Sequence, residues 1–487
     1  MRAPTGRLVA VAAALALLAA LPATAAARRP RIAMLRATPS ALAFGGGSVR
    51  IRSRVTGAAR CSLSVSPRVA PTKGSSCRTR AVTLPANRST SPATYTITLA
   101  ATGAHGRRAR RSVRVTVGGA VQIAAGEASA CVLEPGGRVY CWGENTYGQL
   151  GRGGHAEKGP EHEYASAHEV SGVRGATEIA AGAYFNCALL RDGHVDCWGG
   201  GALGELGEAM SEAAAGNAVE VHGISDAVAV SAGAYHACAL LRNATVECWG
   251  ENRAGELGDG LEGQTSQPTP VAVKGLTNVA EIATGTAGGE ATCARLRDGH
   301  VECWGAGEQG QLGAGAKANS PVPVRVSHLT GAHQLAAGSE YACAVITKGR
   351  VDCWGNNERG ELGDGVEGQG DLTTPVRADL SRGAVQVAGG YGFSACAVLA
   401  GGQLDCWGWN EYGQLGHPGA EKSATPEPVT GISRVAQVAV GESFACSMAS
   451  SGAVDCWGED QVGQLGNGHF LAAGAAHPQP VRVVGLP

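Results

Sequence analysis

Between Ala27 and Val117 the chain has no Asp and no Glu, although that stretch carries 18 Lys and Arg. A segment of one sign repels itself and attracts anionic polymers by counterion release. Beyond Leu21 no apolar run approaches the ~20 residues that a membrane helix needs, so no transmembrane segment is expected. The first cysteine is Cys61, which excludes a lipid-modified cysteine near the N-terminus. There is no Gly-x-Ser-x-Gly elbow, no phosphate loop and no His-Glu-x-x-His helix, so no catalytic residue and no cofactor is assigned. Glycine, by contrast, is in excess. It supplies 74 of 487 residues, about twice the usual ~7%, without the period of collagen. So much glycine serves turns between short strands rather than long helices. A chain of this length holds two or more domains or one large repeat array. The formal net charge of -1 conceals an asymmetry, because residues from Gly118 onward hold 20 Lys and Arg against all 41 acids.

The N-terminus reads as a secretory signal over residues 1–26. Arg2 and Arg7 start it, Leu8 to Leu21 is apolar, and Ala23-Thr24-Ala25 or Ala25-Ala26-Ala27 offers small-residue cleavage. At 1.5 Å rise per residue the apolar run is too short to cross a ~30 Å core. The expected protein is therefore exported, to the periplasm, the cell surface or the medium, with residues 27–36 as a basic linker.

Fourteen of the 16 cysteines fall in pairs ten positions apart. The pairs are Cys131 and Cys141, Cys187 and Cys197, Cys238 and Cys248, Cys293 and Cys303, Cys343 and Cys353, Cys396 and Cys406, and Cys446 and Cys456. Each pair encloses a hairpin pattern, as in Cys187-Ala-Leu-Leu-Arg-Asp-Gly-His-Val-Asp-Cys197, where Asp192-Gly193 is a turn signal. Folding such a hairpin brings the two cysteines across from each other at bridging distance. Structural zinc sites space their ligands by two to four residues, and an isolated cysteine pair would lack two ligands, so disulfides are expected. Cys61 and Cys77 are expected to pair with each other.

The first cysteines recur every 50 to 56 residues. Each second cysteine is followed by Trp-Gly, four residues, and Gly-[Gln/Glu]-Leu-Gly, from Trp142 and Gly148-Gln149-Leu150-Gly151 to Trp457 and Gly463-Gln464-Leu465-Gly466. An apolar strand ending in Gly precedes each first cysteine, and Pro/Val strands such as Pro321-Val322-Pro323-Val324 separate the repeats. Each repeat thus supplies about four short strands that cannot bury their own faces. Seven such units suit a closed β-propeller, with each motif tryptophan as a packing residue. The last repeat has no successor strand, so the segment 121–126 is expected to meet the strand at 480–485, in or beside one blade, and to complete it.

The pattern Ala-Ala-Gly … Cys-Ala-Leu-Leu-Arg-Asp-Gly-x-Val-x-Cys-Trp-Gly … Gly-[Gln/Glu]-Leu-Gly resembles the repeat of the regulator of chromosome condensation family, which are seven-bladed propellers. The resemblance covers 119–487, and the family implies an all-β ring over 118–487. Its best-known activity is nucleotide exchange on a nuclear small GTPase. A cysteine pair in every repeat departs from the nuclear members and is similar to exported bacterial ones. Some of those inhibit β-lactamases with the propeller face.

Residues 37–117 read as a separate basic module. Val49, Ile51 and Val55 alternate with Arg50, Arg52 and Arg54, and Tyr95, Ile97 and Leu99 alternate with polar residues. Strands with one wet face, about 80 residues and one disulfide resemble an immunoglobulin-like sandwich. The Gly118-Gly119 pair follows as a hinge. The available polyanions outside a cell are anionic envelope polymers and extracellular DNA, and the alternative is docking on the chain's own acidic ring.

Candidate contact residues lie between the strand-ending glycines and the first cysteines: Tyr184, Phe185, Tyr235, His236, Tyr341, Phe393 and Phe444. They form either a protein-binding hot spot or a plug of the central channel. Trp409, outside the repeat motif, and Tyr412 are expected to form an exposed anchor on a loop tip. His155, Glu157, Glu161, His162, Glu163 and His168 could hold a metal, but a solvated loop is the simpler reading and no metal is assigned. Asp259-Gly260-Leu261-Glu262-Gly263-Gln264 and its copy from Asp364 to Gln369 read as turns rather than Ca²⁺ loops. Together these features predict a monomeric, non-catalytic binding protein with a protein or glycan partner on one propeller face. The competing readings are a propeller hydrolase or lyase acting on cell-wall or polysaccharide substrates, and a structural adhesin.

Overall fold

The computed structural model describes residues 29–38, 41–42, 47–67, 77, 80–84, 93–103, 106–117, 122–153, 163–208, 214–286, 290–368, 370–472 and 474–486. The expected signal segment, the Gly118-Gly119 hinge, Gln369, and His155, Glu157, Glu161 and His162 lie outside them. The chain divides into two compact units. One holds most of the strands up to Val115, and the other runs from Thr116 onward and takes in 41–47 and 84–94.

The N-terminal strands are β1 (Arg31–Thr38), β2 (Ala41–Leu42), β3 (Gly47–Thr56), β4 (Arg60–Ser66), β5 (Arg80–Leu84), β6 (Ala93–Thr102) and β7 (Arg108–Val117). They form a three-stranded sheet ordered β1-β3-β5 and a four-stranded sheet ordered β2-β7-β6-β4. Two-residue alternation sorts their side chains. Val49, Ile51, Val82 and Leu84 are buried in the first sheet, and Tyr95, Ile97, Leu99 and Val115 in the second. The arginines between Val49 and Val55 are exposed. Cys61 is bonded to Cys77, as expected, and Ser53 Oγ donates to the Cys77 carbonyl at 2.9 Å. On the chain-entropy model, closing that loop contributes roughly 3 kcal/mol.

From Gln122 onward the described residues form seven four-stranded antiparallel sheets, each within one stretch of the chain: 122–169, 176–220, 227–272, 279–325, 332–377, 384–428 and 435–482. In each sheet the two cysteines oppose each other on the second and third strands. All seven predicted pairs are disulfides. Cys131 is bonded to Cys141, Cys187 to Cys197, Cys238 to Cys248 and Cys293 to Cys303. Cys343 is bonded to Cys353, Cys396 to Cys406 and Cys446 to Cys456. Their Cα atoms are 4.0–4.1 Å apart. This is the narrow kind of antiparallel pair, whose side chains already point at one another. No cysteine is left free.

Each sheet packs on the next, and the seventh packs on the first. The first strand of every sheet lines a central cavity of about 260 Å³ bordered by small residues such as Ala124, Ala180, Ser231 and Ala336. The motif tryptophans join the sheets. All seven are fully buried, and each indole N–H donates to the carbonyl of the second residue of Gly-[Gln/Glu]-Leu-Gly in the preceding sheet. The bonds run from Trp198 to Gln149, Trp249 to Glu205, Trp304 to Glu256, Trp354 to Gln311, Trp407 to Glu361 and Trp457 to Gln414, at 2.7–2.9 Å. The motif's last glycine has positive φ and lies under the indole. At Gly313 (φ +66°) a Cβ would come within 2.9 Å of Trp354 Cδ1, so neither the backbone nor the space admits a side chain. Glutamines on the first strands add a second seam. Gln334 donates to the Val387 carbonyl at 3.0 Å and accepts from its N–H at 2.8 Å, and Gln386 does the same to Val438.

The ring closes through the same contacts and not by a shared strand. The expectation that 121–126 completes the last sheet is therefore corrected. Gln122–Ala125 pairs with Ser129–Leu133 in its own sheet, and the seventh sheet is complete with Ala476–Arg482. The hairpin wins because its loop is only three residues long, so closing it costs little entropy. The chain ends do meet side by side. Trp142 Nε1 donates to the Gln464 carbonyl at 2.9 Å, and the Ile123 N–H to Gln437 Oε1 at 3.1 Å. The N–H of Ala167 reaches the Val484 carbonyl at 3.0 Å. Trp142→Phe at this seam and Trp304→Phe inside the stack should therefore each cost about 1–3 kcal/mol. Matched denaturant titrations would check this, and a clearly smaller loss at Trp142 would mean that the ring stands open there.

Candidate functional site

Sheet topology sorts the loops onto two faces. In every sheet the connections from first to second strand and from third to fourth leave at one end. The Asp-Gly type hairpins and the links to the next sheet leave at the other. The first, the loop face, carries residues 126–128, 182–184, 233–235, 338–340 and 441–443 together with the segments that follow each Trp-Gly.

The predicted contact residues divide between two environments. Phe185, His236, Tyr341 and Phe444 are buried and are corrected from contact residues to packing residues. Each stands two positions before its cysteine and so shares a face with the sulfur, in strands that are buried on both faces. Their rings lie against the strand-ending glycines. A Cβ on Gly182, Gly338 or Gly441 would fall within 2.2 Å of the neighbouring ring. Tyr341 Oη donates to the Ser394 carbonyl at 2.6 Å, and His236 Nε2 pairs with Thr292 Oγ1 at 2.8 Å. Burial pulls the His236 imidazole down to about 4, so it stays neutral.

Tyr184 and Tyr235, one residue earlier in each loop, are half-buried on the loop face. Their rings stand 6.4 Å apart, and Tyr147, 39% exposed, lies 4.9 Å from Tyr184. Tyr184 Oη donates to Glu127 Oε1 at 2.6 Å. Sequence reasoning missed Tyr391, which crosses the ring axis and donates to the Gly233 carbonyl at 3.0 Å. It packs with Ala183 and Ala234 and stops the channel at this face. Its only signal is an aromatic residue between two glycines, one place off the repeat register.

Phe393, Trp409 and Tyr412 form a second group, all half-buried. The Arg359 guanidinium, from the fifth sheet, sits 4.1 Å over the Phe393 ring and 5.8 Å from the Trp409 ring. Trp409 meets Tyr412 edge-on at 5.6 Å. Trp409 and Tyr412 do lie together, but Trp409 ends the third strand of its sheet opposite Lys422 and both are half-buried, so the expected exposed loop-tip anchor is corrected to a strand-end pair. Arg359 is the member that sequence alone did not supply.

The loop face is acidic. Glu127, Glu144, Glu290, Glu340, Glu442 and Glu459 lie around it, against Arg152, Arg253, Lys317 and Arg359. Burial raises the Glu127 carboxyl, with Glu144 adding to the shift and the Tyr184 hydrogen bond opposing it. Burial raises Glu442 as well, helped by Glu127, Glu459 and Glu144. Burial likewise raises Glu290, which also faces Glu251 and Glu256. The hairpin face mixes the signs, with Arg138, Arg174, Arg191, Arg242, Arg297 and Arg434 among Glu134, Asp192, Asp226, Asp298 and Asp379.

The buried acids of the repeat motif have another role. Glu205 Oε2 accepts the Leu203 N–H at 2.7 Å and Glu361 Oε2 the Arg359 N–H at 2.9 Å, as Gln149 and Gln414 do in their own loops. Burial pushes both carboxyls up to about 7. Asp259 and Asp364 accept the N–H groups of Leu261 and Val366, which is turn chemistry. Of the histidine-rich cluster, His168 turns Nδ1 to the Ser166 carbonyl. Among the described residues no group of three or more His, Cys, Asp or Glu is arranged to hold a metal.

An RCC1-like domain model matches residues 93–396, and models of the regulator of chromosome condensation (RCC1) repeat match 402–448, 384–414 and 435–464. The chain belongs to this family of RCC1-repeat propellers. It is 34% identical over 310 residues to the ultraviolet-B receptor UVR8 of Arabidopsis thaliana, a match that covers 60% of this chain and 66% of that one. It is 33% identical over 204 residues to the probable E3 ubiquitin-protein ligase HERC6 of Homo sapiens, covering 42% of this chain and 19% of the relative. The chain therefore spans just under two thirds of the first relative and a fifth of the second. Among solved structures, human WBSCR16 superimposes with a TM-score of 0.62 at 21% identity, covering 71% of this chain and 94% of that one. Prp20p of Saccharomyces cerevisiae, studied for its binding to Gsp1p and histones, gives 0.62 at 22%, covering 72% and 87%.

Glu205 and Glu361 generate a pH dependence. A buried carboxyl raised above its unfolded pKa stabilises fully below that unfolded value, near 4.5, and the contribution is lost as pH rises through about 7. Glu205→Gln combined with Glu361→Gln should raise the melting temperature at pH 8 by several degrees and leave it nearly unchanged at pH 4.5. Parallel melts across that range would show the difference.

Proposed function

We propose that the protein is an exported, monomeric, non-catalytic binding protein. A seven-bladed propeller presents its loop face to a protein or glycan partner, and an immunoglobulin-like module associates with anionic envelope polymers. The observation that carries this reading is the group of Arg359, Phe393, Trp409 and Tyr412 on the loop face. Trp, Tyr and Arg dominate the few residues that supply most of an interface's energy, because they bury large area at small entropic cost. Eight disulfides and no free cysteine suit an oxidising compartment. No helix among the described residues is long and apolar enough to cross a membrane. Two ordered sheets in the basic segment support the immunoglobulin-like reading. Protein binding also fits neighbours of this fold, such as yeast RCC1 (Prp20) bound to Kap60, with a TM-score of 0.61 at 21% identity over 71% of this chain and 83% of that one.

Affinity capture from the exported proteome of the source cells tests the reading. Wild-type protein should retain one stoichiometric partner. Trp409→Ala, Tyr412→Ala and Arg359→Ala should each weaken retention about 30-fold or more, corresponding to ~2 kcal/mol per hot-spot residue, without lowering the melting temperature by more than a degree or two. Tyr341→Ala should instead destabilise the fold. Undiminished retention by all three surface variants would refute the assignment of this face.

A further inference from the structure

We infer that the outer face of β3, together with β1, is a binding strip for an envelope polyol phosphate, a linear phosphodiester polymer taken in an extended conformation. This rests on the polyanion association proposed above and gives it a chemistry. Arg50, Arg52 and Arg54 occupy alternate positions of β3 and are all exposed, while Val49 before them and Ile51 between them are buried and Ser53 is half-buried. The three guanidinium stems therefore leave one face in a row, with a two-residue repeat of about 6.8 Å. That matches the length of one repeat of a sugar- or polyol-phosphate backbone drawn out straight, in which six bonds separate successive phosphorus atoms. Arg36 of β1 is exposed and pairs in register with Arg52, which makes a branch at the middle of the row.

Like charges directly opposite on neighbouring strands are destabilising. The segment 27–117 contains no acid to neutralise them. A bound phosphate between Arg36 and Arg52 would convert that repulsion into two charge-assisted contacts, the fork geometry for which arginine is suited. The residues paired with Arg54 and Arg50 are Met34 and Thr38, so the strip brings no aromatic platform for base stacking. Recognition is thus of the backbone charge spacing, which envelope polyol phosphates and single-stranded nucleic acid share. Arg111 is not part of the row. Its guanidinium is used inside the module, donating to the Ala33 carbonyl at 2.8 Å.

The test measures binding of the full chain to fluorescent poly(glycerol phosphate), oligodeoxythymidylate, and alginate of matched charge, from low to physiological salt. Both phosphodiester polymers should bind at least tenfold more tightly than alginate. Lacking an aromatic platform, the strip should bind poly(glycerol phosphate) at least as tightly as oligodeoxythymidylate, and a clear preference for the nucleic acid would overturn the assignment to an envelope polymer. Arg36→Ser/Arg50→Ser/Arg52→Ser/Arg54→Ser should lose most of the binding, whereas Arg108→Ser/Arg110→Ser/Arg114→Ser on β7, where the row of exposed arginines is broken at Ser112 by its hydrogen bond with Thr98, should lose much less. Arg52→Thr alone should lower the salt slope by about 0.7 and leave the melting temperature unchanged or higher, which separates lost contact from lost fold. Equal binding of alginate, or equal loss in the β7 variant, would overturn the phosphodiester strip and leave general polyanion association standing. No binding to any of the three polymers would overturn both.

Discussion

One hydrogen bond, made seven times, organises the ring. The tryptophan after each second cysteine places its indole N–H on a carbonyl of the preceding sheet and its ring on that motif's final glycine. A buried N–H without a partner is costly, and a displaced indole would leave a large void, so the contact fixes both the distance and the angle between sheets. Everything around it serves this placement. The Gln or Glu of the motif caps its own loop with its side chain, which turns the backbone carbonyl toward the tryptophan. The disulfide one residue before the tryptophan locks the two central strands in register. Because the same bond runs from Trp142 to Gln464, the ring needs no exchanged strand to close.

The same framework leaves the loop face free to vary. Its scaffold residues point inward, while the side chains one position earlier in each loop, and those just after each Trp-Gly, differ from repeat to repeat. Tyr147, Tyr184 and Tyr235 gather on one side of the axis, and Phe393, Trp409 and Tyr412 gather with Arg359 on another. Acids surround both groups, and partial burial, with their mutual repulsion added, holds several carboxyls above the ordinary range. Under the binding role proposed above, such a surface would suit a partner that brings cationic or hydrogen-bond-donating groups, since it would relieve a repulsion the free protein must carry. The arginine row on β3 shows the same logic with the sign reversed.

Periodicity alone determined much of this protein. The ten-residue cysteine spacing specified every disulfide of the repeats, from Cys131 with Cys141 to Cys446 with Cys456, since a tight turn between alternating strands leaves the sulfurs only one place to meet. The repeat motif specified seven four-stranded units, and alternation in the basic segment separated the buried valines from the exposed arginines. Trp409 stood out as the one tryptophan outside the repeat motif.

Tertiary structure decided what depends on neighbours distant in the chain. Phe185, His236, Tyr341 and Phe444 became core because the next sheet covers them, and no local pattern records that cover beyond their two-residue spacing from cysteine. Tyr391 stops the channel from across the axis, and Arg359 joins the Trp409 group from another sheet, so both needed the ring in place. The seam between the ends was also a tertiary outcome. A short local hairpin closed more cheaply than a pairing across the whole chain, and side-chain packing between complete sheets sealed the rest.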